Sequence, residues 1–171
     1  METTEHTRSV ERGDREELRT LLAGYDTAIL TTRGADGHFH ARPMAMRKQT
    51  PSVDELWFVT WDDTEKVHDL EQDGSCCLAL VTSERASSYV SMSGKGELVR
   101  DPVRLRELWD SGWNAWFPDG PGGRLMLIRF VPEHAEYVQA STGRLAEVTD
   151  FVRSLIGRPA VHAPKKELEL H

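Results

Sequence analysis

Strand-like segments follow one another through short turns along most of this chain. Asp26–Arg33 and His38–Arg47 form a hairpin pattern around Gly34–Gly37, where Asp-Gly supplies the positive φ that a tight turn needs. Further strand patterns cover Glu55–Trp61, Cys76–Thr82, Ser87–Val99, Arg124–Val131 and Glu136–Ala140. The alternating strand–helix units of a doubly wound nucleotide fold are missing. We therefore predict a mainly β (α+β) protein whose antiparallel sheet of six or seven strands curls into a barrel.

Helical patterns flank these strands. They cover Arg8–Ala23, Thr64–Asp73, Asp101–Ser111 and Gly143–Ile156. Asp101 followed by Pro102 is typical of a helix N-terminus, because aspartate caps the first N–H groups and proline fits the first turn. Since no linker, repeat or low-complexity tract divides the sequence, we predict a single domain over residues 1–171, with loose ends at 1–7 and about 160–171.

Charge and hydropathy exclude two classes of partner. The chain has 21 Lys and Arg against 28 Asp and Glu, a net charge of −7, which is the opposite of a protein that tracks nucleic-acid phosphates. Its longest apolar run, Cys76–Val81, is far shorter than the ~20 residues of a membrane-spanning helix. With no apolar leader and two adjacent cysteines on opposite faces of a strand, we expect a cytoplasmic protein.

Several catalytic motifs are absent from the sequence. There is no Gly-x-Gly-x-x-Gly, no Walker-type loop, no Gly-x-Ser-x-Gly and no Cys-x-x-Cys. His38 and His40 lie two apart on a predicted strand and share a face, but a metal would need a third ligand that no spacing suggests. We therefore predict no metal site, and we assign no catalytic acid or base.

Two segments could bind an anion or a cofactor. Pro43 within a strand indicates an edge or a bulge, which leaves backbone groups for a ligand, and Arg42 beside it is a fixed cation. The second segment leads from a strand end into a helix N-terminus and contains Thr60, Thr64 and Lys66. Two hydroxyls, an ammonium and the free N–H groups of a helix start are suitable partners for a phosphate. Each segment also has a purely structural interpretation: an edge proline beside a surface arginine, and a helix start satisfied by its own acidic residues.

The order of the motifs resembles a known family. TTRGADGHFHARPMAM, LWFVTWDDTEKVHDL, YVSMSGKGELVRD, LWDSGWNAWFPDGP and LMLIRFVPEHAEY follow one another from about Asp26 to Tyr137. Together they resemble the general stress protein branch of the FMN-binding split-barrel proteins, which is related to pyridoxamine 5'-phosphate oxidase. The resemblance implies a six-stranded antiparallel split β-barrel with flanking helices, working as a homodimer with FMN at the subunit interface.

The resemblance also implies the residues of the flavin site. Those at the flavin ring would be Arg42, Pro43, Met44, Ala45 and Tyr89; those at the ribityl chain and phosphate would be Val59, Thr60, Thr64 and Lys66. Trp116 belongs to the Trp-rich segment, together with Trp109, Trp113 and Phe117, where packing and flavin contact are the two alternatives. Two positions depart from the family pattern: Glu65 replaces a second basic residue beside the lysine, and Val138 replaces a tryptophan.

The function that these features indicate is a flavin-dependent oxidoreductase acting on a small molecule in a stress-related role. The expected cofactor is FMN, with FAD as the alternative. A non-catalytic flavin-binding stress protein, and a split-barrel user of a deazaflavin coenzyme or haem, remain as other interpretations.

Overall fold

Antiparallel strands and three helices make up most of the residues that the computed structural model describes, which are 14–47, 52–81, 88–139 (138 and 139 by their backbone alone) and 166–170. The strands are β1 Thr27–Arg33, β2 Phe39–Ala45, β3 Leu56–Trp61, β4 Ser75–Val81, β5 Ser88–Val99, β6 Leu125–Gln139 and β7 Lys166–Glu169. The helices are α1 at residues 14–22, α2 Glu65–Gln72 and α3 Pro102–Leu108, and a 3₁₀ turn spans Ser111–Ala115.

The strands form one sheet that curls without closing. Its hydrogen-bonded path is β2-β1-β4-β5-β6-β3, and β7 adds to β6 beside this path. All pairings are antiparallel. The prediction of a six-stranded antiparallel split barrel with flanking helices is confirmed, with a seventh short strand added. Pro43 lies on β2, the end strand of the path, where a missing backbone N–H costs no ladder hydrogen bond.

β6 corrects the prediction of two separate final strands. It runs without interruption through Pro132, because the β5–β6 register shifts between Ser93 and Gly94, which pair with His134 and Pro132 and leave Glu133 as an extra residue. A Cβ on Gly94 would lie 2.1 Å from the carbonyl oxygen of Val131, so this approach of two strands requires glycine. The irregularity at Gly94 is thus a bulge that also accommodates the proline.

The C-terminal residues correct the expectation of a loose tail. Lys166–Glu169 pairs with β6 as β7, and Leu168 and Leu170 are buried in the core. Lys166 Nζ forms ion pairs with Asp14 and Glu17 of α1, which ties both ends of the described chain together. The expected helix Gly143–Ile156 and the expected loose residues 1–7 lie outside the described residues.

Two apolar clusters fill the fold. The larger lies inside the curled sheet, where alternate residues of the strands, such as Leu30, Leu78 and Met92, are fully buried. The smaller joins α3 and the 3₁₀ turn to β3 and β6 through residues that include Val59, Leu127 and Trp113. Of the helices described, none is long and apolar enough to span a bilayer.

Candidate functional site

A cavity of about 220 Å³ lies where the end of β2, the end of β3 and the N-terminus of α2 meet the Trp-rich segment. Its lining comprises Thr27, Pro43, Met44, Ala45, Val59, Thr60, Trp61, Lys66, Trp113, Trp116 and Phe117. Apolar and aromatic side chains dominate this lining, and its polar groups are few. A concave, mostly apolar pocket with a few convergent polar groups is the usual form of a small-molecule site.

The polar groups gather at one end of the cavity. Lys66 Nζ donates a hydrogen bond to Thr60 Oγ1 at 3.0 Å, and Thr60 Oγ1 lies 3.2 Å from Thr64 Oγ1. Thr64 is the N-cap of α2 but makes no side-chain cap, because its hydroxyl donates to the carbonyl of Trp61 at 3.1 Å. An ammonium, two hydroxyls and a helix N-terminus therefore lie together, which is suitable for binding an anion.

Lys66 is a charged group in partly dry surroundings. Burial, and secondarily the charge of Arg42, lowers the pKa of Lys66, while the nearby Glu65 acts in the opposite direction. The folded protein thus bears a cost for keeping this ammonium charged, which a bound anion would offset. A perturbed ionisable group in a cavity is typical of a functional position.

The other end of the cavity is built from β2 and aromatic rings. Trp113 is fully buried, and its indole Nε1 donates to the carbonyl of Ala45 at 3.2 Å, which joins the Trp-rich segment to the end of β2. Trp116 by contrast leaves 66% of its surface exposed at the cavity rim. Phe117 contacts Trp61 edge-to-face, with their ring centroids 5.7 Å apart. The Trp-rich segment therefore contributes to both core packing and the cavity wall.

A buried carboxylate lies beside this site, on the sheet side of α2. Asp69 Oδ2 accepts a hydrogen bond from Thr32 Oγ1 at 2.6 Å, and it lies 3.2 Å from His40 Nδ1 and 3.4 Å from Arg42 Nη2. Burial by itself raises the pKa of Asp69, but the hydrogen bonds from Thr32 and His40 and the charge of Arg42 outweigh it and lower the pKa. This cluster fastens α2 to β1 and β2, and with α2 it fixes the position of Lys66.

Glu65 joins the same cluster from its exposed side. Its two carboxylate oxygens lie 3.7 Å from His40 Nδ1 and 3.7 Å from Arg42 Nη2, respectively. Arg42 also donates to Thr32 Oγ1, so both terminal nitrogens of its guanidinium contact protein groups. Arg42 is consequently held alongside α2 and does not line the cavity.

The structure brings together seven of the ten residues predicted for the site. Those that line the cavity are Pro43, Met44, Ala45, Val59, Thr60, Lys66 and Trp116. Thr64 lies just behind Thr60, Arg42 contacts Asp69 and Glu65, and Tyr89 is on β5 opposite Val81 and Val138. Thr27 and Trp61 line the cavity as well but were not predicted as site residues, and so do Trp113 and Phe117, for which packing and flavin contact were the two alternatives.

The two members of the histidine pair, and likewise of the cysteine pair, have different environments. His38 lies just before β2 and is not part of that strand, whereas His40 lies on β2 and contacts Asp69. Within the described part of the chain, no group of three or more His, Cys, Asp or Glu side chains could hold a metal ion. Cys76 is buried, which raises its pKa to about 12, but Cys77 is partly exposed on the opposite face of β4.

The outer face of the sheet borders the cavity. In-register residues across it have small side chains: Ala41, Thr31, Cys77 and Ser93. In the next row, Pro43 pairs with Ile29, which is partly exposed to solvent, and Pro43 and Thr27 also line the cavity. The cavity and this face are therefore continuous.

A family model described as "Pyridoxamine 5'-phosphate oxidase like" matches residues 13–161. The chain belongs to this family. Among curated proteins, none matches the sequence.

Several solved structures share the fold of this chain. A protein of Clostridium acetobutylicum related to general stress protein 26 of B. subtilis superposes with a TM-score of 0.67 at 17% identity, covering 90% of this chain and 92% of that one. A putative general stress family protein of Xanthomonas campestris pv. campestris gives 0.63 at 26% identity, covering 78% and 92%. A haem-binding protein of Mycobacterium smegmatis gives 0.60 at 18% identity, covering 76% and 55%. The predicted family is confirmed, and the stress-protein relatives support the predicted branch.

Proposed function

We propose that this protein binds FMN in the cavity and acts as a flavin-dependent oxidoreductase on a small molecule. The observation that carries the proposal is the hydrogen bond between Lys66 Nζ and Thr60 Oγ1 at one end of an otherwise apolar and aromatic cavity. FMN has the same polarity, with a phosphate at one end and a flat ring system at the other. The family membership agrees with this choice, since the resemblance in the sequence is to flavin-binding proteins.

The residues present fit the two ends of FMN. Thr60, Thr64 and Lys66 would hold the phosphate, because hydroxyls, an ammonium and a helix N-terminus are its usual partners. The segment Pro43–Ala45 and the indole of Trp116 would lie against the ring system. Bound FMN would supply the electron-transfer chemistry, while the protein provides binding, orientation and exclusion of water.

A homodimer would complete this site. A cavity of about 220 Å³ is smaller than the roughly 300–1,000 Å³ of most ligand pockets, so one chain provides only part of an enclosure. The outer sheet face, with small side chains and the partly exposed Ile29, continues directly from the cavity. We infer that a second copy covers this face and closes the cavity.

Haem is the less favoured cofactor, although a structural relative binds it. A haem iron would need an axial ligand such as histidine, cysteine, methionine or tyrosine. Of the described residues that line the cavity, Met44 alone has such a side chain, and no histidine is among them. His40 is nearby but contacts Asp69 and Glu65.

Titration of the purified protein with FMN, FAD, a deazaflavin coenzyme and haemin, followed by absorption and calorimetry, tests the proposal. We expect FMN to bind with micromolar affinity or better, about −8 kcal/mol. Turnover of a small acceptor with a nicotinamide as electron donor would then establish an enzyme, whereas binding without turnover would favour the stress protein that only binds flavin. Binding of haemin or the deazaflavin coenzyme without FMN would contradict the proposal.

A further inference from the structure

Glu65 places a negative charge beside the end of the cavity that would hold the ligand's phosphate, although it does not itself line the cavity. It is the first residue of α2, and its side chain is 68% exposed. Its charge influences Lys66, and its carboxylate is 3.7 Å from Arg42 Nη2. The carboxylate therefore acts on both cations at this end of the protein.

The pairing of Arg42 leaves the anion end of the cavity weakly positive. Asp69 and Glu65 are two carboxylates against one guanidinium, so Arg42 contributes little net attraction to a nearby phosphate. Of the described residues that line the cavity, Lys66 alone carries a positive charge. One partly dehydrated ammonium and two hydroxyls would then bear most of the phosphate's charge.

We propose that Glu65 determines the affinity of the site for a phosphorylated ligand, and that it keeps this affinity low enough for bound flavin to exchange with free flavin. Glu65 would do so through repulsion of the phosphate and neutralisation of Arg42, without contact with the flavin ring. The proposal rests on the proposed function, because it concerns the same cavity. It predicts that the charge of residue 65 changes affinity for the phosphorylated flavin alone.

The test compares Glu65→Gln, Glu65→Asp and wild type in binding to FMN and to riboflavin, which lacks the phosphate. For Glu65→Gln we expect FMN to bind about five- to tenfold more tightly, mainly through slower release, because a negative charge that acts on Lys66 and Arg42 is removed. Riboflavin affinity should not change. Glu65→Asp keeps the charge and should retain the wild-type affinity for FMN.

Two further measurements distinguish an effect of the charge of Glu65 from an effect of altered structure. Glu71→Gln removes an exposed carboxylate elsewhere on α2 and should leave both affinities unchanged. In about 1 M salt, where charges are screened beyond ~3 Å, the gain of Glu65→Gln should shrink. Unchanged or weaker FMN binding by Glu65→Gln, or an equal gain for riboflavin, would overturn the role of Glu65. Failure of all variants to bind either flavin would instead overturn the proposed function.

Discussion

Lys66 Nζ and Thr60 Oγ1 are 3.0 Å apart, and this hydrogen bond joins the start of α2 to the end of β3 at the polar end of the cavity. The two residues come from different elements that are separated by a short turn. The position of α2 depends in turn on Asp69, which receives hydrogen bonds from β1 and β2. The candidate phosphate site is therefore a product of the way in which α2 docks on the sheet.

Lys66→Met should weaken FMN binding by at least tenfold and leave riboflavin binding nearly unchanged, because the ammonium would contact the phosphate of FMN and not the ring system that the two ligands share. Thermal stability should stay the same or rise slightly, since burial already lowers the pKa of Lys66 and the charge is unfavourable without an anion. Calorimetric titration and a melting curve measure the two effects. The matched control is Lys95→Met, which removes a lysine that donates a hydrogen bond to Ser75 outside the cavity. Equal FMN affinity in the Lys66 variant and wild type would remove the phosphate assignment.

Trp116→Ala should weaken FMN and riboflavin to a similar extent, by about five- to tenfold, because base-sized rings gain about 1–3 kcal/mol from stacking on an aromatic side chain. Its exposure at the rim means that folding stability should change by less than about 0.5 kcal/mol. Fluorescence titration with each flavin and urea unfolding provide the readouts. A loss confined to FMN would show that Trp116 acts on the phosphate end and not on the ring.

Asp69→Asn should lower the free energy of unfolding by about 2 kcal/mol near pH 7, because charge-assisted hydrogen bonds in a buried cluster are lost. The folded pKa of Asp69 lies below its ordinary value of 3.8, so its contribution is complete above that pH and disappears as the pH falls through the folded value. The difference between wild type and variant should therefore narrow below pH 3.8. Urea unfolding at several pH values measures it, with the exposed Glu71→Gln as control. A difference that widens on acidification would contradict this account.

Gly94→Ala should destabilise the fold by about 3 kcal/mol, because a Cβ would overlap the Val131 carbonyl at the β5–β6 bulge. Gly122→Ala is a matched control, since a Cβ there meets nothing within 4 Å. Urea unfolding of both variants gives the comparison. Similar stability of the two variants would show that the bulge does not depend on glycine.

The strands and the polar end of the site were accessible from the sequence because their signals are local. Alternation, turn residues and an edge proline located β1 and β2, and the Asp101 cap located α3, where the side chain accepts from the N–H groups of Val103 and Arg104. Thr60 and Lys66 are six residues apart across one turn, so a strand end followed by a helix start was sufficient to bring them together.

Long-range contacts account for what the sequence did not predict. Pro132 indicates a strand break unless the bulge opposite Gly94 is known. The sequence predicts that Arg42 is available to an anion, because nothing local shows that Asp69, 27 residues away, accepts a hydrogen bond from its guanidinium. The alternation that puts His40 and Arg42 on one face of β2, and the four-residue spacing of Glu65 and Asp69 on α2, were signals from which this cluster could have been inferred.

A crystal structure of the protein grown with FMN tests the central claim most directly. We predict FMN in the cavity, with its phosphate within hydrogen-bonding distance of Lys66 Nζ and Thr60 Oγ1 and its ring system against Pro43–Ala45 and Trp116. A second copy of the chain should cover the outer sheet face and enclose the flavin. A flavin bound elsewhere, or with its phosphate away from Lys66, would contradict the account.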